Sequence, residues 1–99
     1  MIVIRDIFHL KYGEAKAFKA AMNEMKKFFD GNKSIGSMRL LADLVGDAYT
    51  FVLEMTFESL SDYESSMQSM NNPEWGAFYH STVTPLIVSG KREIFTIVE

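Results

Sequence analysis

The chain predicts an α+β domain in which four strands form one antiparallel sheet and two helices pack on it. Three observations carry that expectation. The first residues alternate in character and are rich in β-branched side chains. Two stretches place apolar residues at steps of three and four, the spacing of a packed helix face. Between them lie two further alternating runs joined by Gly46-Asp47, a hairpin signal.

Taken in order, Met1 to Lys11 reads as a strand ended by Gly13. Glu14 to Phe29 carries Ala15, Phe18, Ala21, Met22, Met25, Phe28 and Phe29 on one helical stripe, stopped by Asp30-Gly31-Asn32. Gly36 to Val45 and Ala48 to Phe57 read as the hairpin strands. Ser59 or Ser61 can cap the next helix, and Ser61 with Glu64 fits a capping box. Its inner stripe is Leu60, Tyr63, Met67 and Met70. The helix pauses at Asn71-Asn72 and restarts at Pro73. Thr84-Pro85 and Gly90 mark a loop, and Arg92 to Val98 is the last strand. The order β-α-β-β-α-β is the ferredoxin-like arrangement, with sheet order 4-1-3-2 and both helices on one face.

The alternation assigns each strand residue to a side. Ile2, Ile4, Phe8, Leu10, Met38, Leu40, Ala42, Leu44, Tyr49, Phe51, Leu53, Met55, Phe57, Phe95 and Ile97 make the helix-covered set, which Asp6 interrupts. The other set holds Val3, Arg5, Ile7, His9, Arg39, Leu41, Asp43, Val45, Thr50, Val52, Glu54, Thr56, Arg92, Ile94, Thr96 and Val98. That side is too apolar for water and too polar for a dry core. A second sheet packing over it, supplied by a homodimer, resolves the conflict.

Ninety-nine residues make one domain, 1–99, and at 47% apolar and 13% aromatic they can build a core. A domain this small leaves about a third of its surface unburied, which favours self-association. Net charge is −3 with no basic stripe, which argues against nucleic acid as a partner. Zero cysteines exclude disulfides, thiolate catalysis and Cys-based metal centres. Two histidines without a carboxylate cluster at ligand spacing give no metal site. The N-terminus reaches charge after four residues, so neither a signal peptide nor a membrane span is expected there, and a cytoplasmic protein is.

Residues 71–80 concentrate unusual chemistry. Asn72 is an N-cap, Pro73 takes the first helical position, and Glu74 brings negative charge to the helix N-terminus. Trp75, Phe78 and Tyr79, three and four apart, continue the packing stripe, with Trp75, Tyr79 and His80 as candidate pocket residues. Trp75 and His80 are five apart, roughly 140° around a helix, and cannot face one pocket from a regular helix.

These residues carry a resemblance. The strand ending Phe8-His9-Leu10-Lys11-Tyr12-Gly13, the run Ser61-Asp62-Tyr63-Glu64, the Asn72-Pro73-Glu74-Trp75 element with Phe78, and Pro85-Leu86-Ile87 before Arg92-Glu93-Ile94 resemble the dimeric α+β barrel superfamily, specifically its NIPSNAP-like branch. The resemblance covers nearly the whole chain. Asp6 stands where the branch tends to have arginine, and Tyr12 where proline is usual. It implies a homodimeric barrel that binds a small apolar or aromatic, oxygen-bearing molecule between sheet and second helix. A cofactor-independent enzyme, monooxygenase- or isomerase-like, is the implied chemistry. Some relatives degrade haem through a histidine of the second helix; here the Trp75–His80 spacing and Asp6 disfavour a haem site, and no cofactor is expected.

Within the mixed face, Arg5, His9 and Glu54 sit on neighbouring strands and form a candidate catalytic set. His9 would move a proton, Arg5 would bind an oxyanion and Glu54 would orient one of them. The same three can be a structural ion pair or interface contacts. The alternative function is a non-catalytic dimeric interaction module whose barrel is filled by its own side chains.

Overall fold

A computed structural model describes residues 1–98. Its elements are β1 (Ile2–Leu10), α1 (Ala15–Phe29), β2 (Met38–Ala42), β3 (Thr50–Phe57), α2 (Leu60–Met70), α3 (Pro73–Phe78) and β4 (Ile87–Thr96). The sheet runs β2-β3-β1-β4 with every neighbouring pair antiparallel, the ferredoxin-like order expected from the sequence.

The core lies between the sheet and the helices. Ile4, Phe8 and Leu10 from β1 and Phe51, Leu53, Met55 and Phe57 from β3 are buried against Phe18, Ala21, Met22, Met25 and Phe29 of α1. Phe18 has no solvent exposure and stands between the rings of Phe8 (5.3 Å) and Phe51 (5.1 Å). Lys26 and Lys27 occupy the last turn of α1, where positive charge complements the helix dipole.

Ser59, not Ser61, caps α2: its hydroxyl accepts from Asp62 N at 3.2 Å, and the Ser61–Glu64 capping box does not form. Leu60 sits in the first turn and is exposed, while Tyr63 and Met70 are buried as the stripe requires. Asn72 starts α3 as expected, its side chain accepting from Trp75 N at 2.9 Å.

The hairpin turn is longer than two residues. The ladder continues past Ala42 through Asp43, whose N–H donates to Thr50 O (2.9 Å) and whose carboxylate accepts from Thr50 N (3.0 Å). Leu44 to Tyr49 therefore form the loop, with Tyr49 at φ 59° and Gly46 at φ 128°. Leu44 and Val45, expected on a strand, are exposed at its tip.

The last strand corrects the sequence reading twice. It begins at Ile87, so Gly90 lies inside it rather than in a loop. Its two sides are also exchanged. Residues directly opposite across an antiparallel pair share a face. Arg92 and Ile94 pair with Asp6 and Ile4 on the helix-covered side, and Phe95 and Glu93 pair with Val3 and Arg5 on the open side. The assignment had placed Arg92, Ile94, Thr96 and Val98 on the open side and Phe95 and Ile97 under the helices. Gly90 faces Phe8, and a Cβ there would lie 3.2 Å from Ile7 O.

Candidate functional site

A cleft of about 530 Å³ opens on the helix-covered side, between β1 and β4 below and the segment from α2 to the start of β4 above. Met25, Phe29, Leu53, Met55 and Met67 form its apolar floor and wall. Trp75 and Tyr79 form an aromatic wall, their rings 5.7 Å apart. Trp75 is held from behind by Phe28 (5.2 Å) and Phe29 (5.9 Å), so the packing stripe also sets the orientation of the cleft wall.

The backbone adapts to place these side chains. After α3 the chain makes a π-helical turn over Tyr79–Val83, closed by Thr84 N–H donating to Tyr79 O. The wider turn lets Val83 enter the core with no exposure while Tyr79 remains over the cleft.

One ion pair stands in this apolar surround. Arg92 Nε donates to Asp6 Oδ1 at 2.5 Å. Asp6 is 8% exposed, and the Arg92 guanidinium also lies 5.9 Å from the centre of the Tyr63 ring. Burial pulls Arg92 down, but the hydrogen bond and charge of Asp6 outweigh it and raise it above the ordinary guanidinium range. Tyr79 is pushed above the usual phenol value, first by burial and then by the Asp6 charge, with Arg92 opposing. Tyr63 is raised mainly by burial too, Arg92 lowering and Asp6 raising it. Both phenols are therefore neutral hydrogen-bond donors at neutral pH.

The opposite, open face holds the residues expected to be catalytic. Arg5 and Glu54 are register partners 3.3 Å apart, and Arg39 Nε reaches the second Glu54 oxygen at 2.7 Å. Glu54 is thus held from both sides. Arg5 Nε is buried without a hydrogen-bond partner, with Glu93 at 3.9 Å. His9 pairs with Thr50, its Nδ1 3.3 Å from Thr50 Oγ1. It is four residues from Arg5 along β1, roughly 13 Å in an extended strand. Arg5 and Glu54 are brought together; His9 is not.

Of the expected pocket residues, Trp75 and Tyr79 line the cleft. His80 is exposed and is not part of its lining. The sequence reading missed Asp6 and Arg92 as residues of the cleft, and Tyr63 as the ring beside the Arg92 guanidinium. Asp6 carried a signal, since a charge interrupting a buried face calls for a partner. Among the described residues no three His, Asp or Glu side chains converge as a metal site, and no helix is long and apolar enough to cross a membrane.

No protein-family model matches the chain, and no curated protein matches it in sequence. Solved structures do match in fold. An uncharacterised NIPSNAP domain protein from Burkholderia xenovorans superposes with a TM-score of 0.85 at 14% identity, over 99% of this chain and 95% of that one. A NIPSNAP family protein of unknown function from Agrobacterium tumefaciens gives 0.80 at 17% identity, over 96% and 86%. SnoaB, a cofactor-independent oxygenase from Streptomyces nogalater, gives 0.76 at 12% identity, over 99% and 93%. The chain has the ferredoxin-like α+β fold of these proteins, and its structural neighbours are NIPSNAP domain proteins and oxygenases of that architecture.

Proposed function

We propose that this protein binds a small, largely apolar or aromatic molecule with an oxygen-bearing end in the cleft between sheet and helices. The supporting observation is the pairing of an aromatic, apolar wall with one ion pair and Tyr79, the arrangement of a pocket that takes a hydrophobic body and fixes one polar end. A volume of about 530 Å³ lies within the range of small-molecule sites.

The groups present suit proton transfer without a cofactor. Asp6 can take a proton from an acidic O–H of the ligand, or from a C–H conjugated to a carbonyl; the bond's electron pair stays on the ligand, as an oxyanion in the first case and an enolate in the second. Arg92 and the neutral Tyr79 hydroxyl can donate to that oxygen. The likeness to a cofactor-independent oxygenase supports this class of chemistry. Native mass spectrometry of protein purified from its own host tests the binding claim. A bound small molecule that is lost in Trp75→Ala is the expected result; ligand retained in that variant would count against the cleft.

Homodimerisation belongs to the same reading. The open face carries Phe95 at 50% exposure and Ile97 at 37% around the Arg5–Glu54–Arg39 group. Two copies packed sheet to sheet would cover those side chains. Sedimentation equilibrium should give twice the chain mass at micromolar concentration.

A further inference from the structure

We propose that Asp6 determines the charge class of the cleft's ligand: by neutralising Arg92 it selects an uncharged molecule that presents a hydrogen-bond donor beside an acceptor, such as an amide or lactam, over a carboxylate of the same shape. This rests on the cleft being a ligand site and adds what that site discriminates.

Asp6 is the one charge in the helix-facing set of β1, and its cross-strand partner is Arg92. The two meet through a single hydrogen bond from Nε to Oδ1. Among the described residues, no protein hydrogen bond reaches the terminal Nη groups of Arg92 or Oδ2 of Asp6. Both side chains line the cleft. The Asp6–Arg92 pair is therefore a donor fork beside an acceptor, with no net charge of its own. Lys91 borders the cleft as well, but its ammonium lies 3.8 Å from Glu93, its neighbour on the open side of β4. Tyr79 adds a neutral donor.

A ligand with its own donor and acceptor satisfies both halves of this pair. A carboxylate can use the guanidinium, but it then sets a second anion beside the Asp6 carboxylate, which is 8% exposed, and the two repel. A cation meets Arg92 in the same way. Sequence offers an equal route to the opposite preference, since Asp6→Asn would leave Arg92 unopposed.

Naphthamide and naphthoate, nearly equal in shape, are suitable probes, with Trp75 fluorescence and calorimetry as readouts. The wild-type protein should bind naphthamide on the order of tenfold more tightly. Asp6→Asn should invert that order. Arg92→Gln should weaken naphthoate further, because only the anion of Asp6 then faces it. Equal binding of the two probes by the wild type, or tighter binding of naphthoate, overturns the inference while leaving the cleft as a site. Binding of neither probe by any form would overturn both. Should Asp6→Asn not fold, the probe ratios of the wild type and Arg92→Gln decide the matter.

Discussion

Asp6 and Arg92 are register partners across β1 and β4, and their side chains meet 2.5 Å apart on the helix-covered side of the sheet. The pair is a charged feature on a face otherwise built from Ile4, Phe8, Phe51, Leu53 and Met55. It gives the cleft its polar end. On the other face Glu54 is gripped by Arg5 and Arg39, a closed ion group without a free carboxylate oxygen. The two faces thus hold ionic groups of different character: the Asp6–Arg92 pair borders the cleft, while both oxygens of Glu54 are taken by arginines.

Removing Asp6 should destabilise the fold moderately. Asp6→Ala leaves Arg92 without its partner, and losing a hydrogen bond to a charged group costs about 1–3 kcal/mol. Because the Arg92 side chain is 55% exposed and can turn to water, the lower end of that range is expected. Urea unfolding measures it.

The aromatic core should be far more sensitive. Phe18→Ala removes a fully buried ring between Phe8 and Phe51 and should cost about 3–5 kcal/mol in denaturant unfolding. Leu44→Ala, at the exposed loop tip, should change stability by less than about 0.5 kcal/mol.

Asn72→Ala should cost about 1 kcal/mol, since it deletes the acceptor of the Trp75 N–H at the start of α3. The cap also fixes the wall of the cleft. Ligand affinity should therefore fall along with stability, measurable as a weaker calorimetric signal for any bound probe.

Alkaline pH should destabilise the protein through two phenols, the buried Tyr63 and the half-buried Tyr79. Tyr63 and Tyr79 have folded-state values raised above the ordinary 10.0, so the native state holds their protons longer than the unfolded chain. Their contribution is fully present below about pH 10 and is lost as pH rises through the folded values. Thermal melts should decline over that window, and the decline should flatten in Tyr63→Phe and Tyr79→Phe.

The architecture was legible because its signals were redundant. Phe18, Met22, Met25 and Phe29 fall on one helical stripe, and Phe51, Leu53, Met55 and Phe57 on one side of a strand that is buried by helices. Asn72 and Pro73 marked the restart of the helix for a local reason, the cap hydrogen bond. The site was less legible. In the edge strand β4 both alternating sets contain apolar residues, Ile94 in one and Phe95 and Ile97 in the other, so hydrophobicity does not fix its phase. Register with β1 does, and that is a long-range property. With the phase reversed, Arg92 could not be recognised as the partner of Asp6. The hairpin was misread for a related reason: Leu44, Val45 and Tyr49 continue the alternation, yet the ladder ends at Asp43 and Thr50, which alternation alone does not reveal.

Trp75 is the only tryptophan in the chain and lines the cleft, so its indole N–H gives a single resonance that reports on the site. An NMR screen of small planar fragments, read at that resonance and at the amide of Gly90, tests the central claim most directly. Fragments that shift both signals together, with weaker shifts in Trp75-neighbouring Tyr79→Ala, are the predicted result. Shifts confined to Arg5, Thr56 and Phe95 on the open face, with the Trp75 indole unmoved, would contradict it.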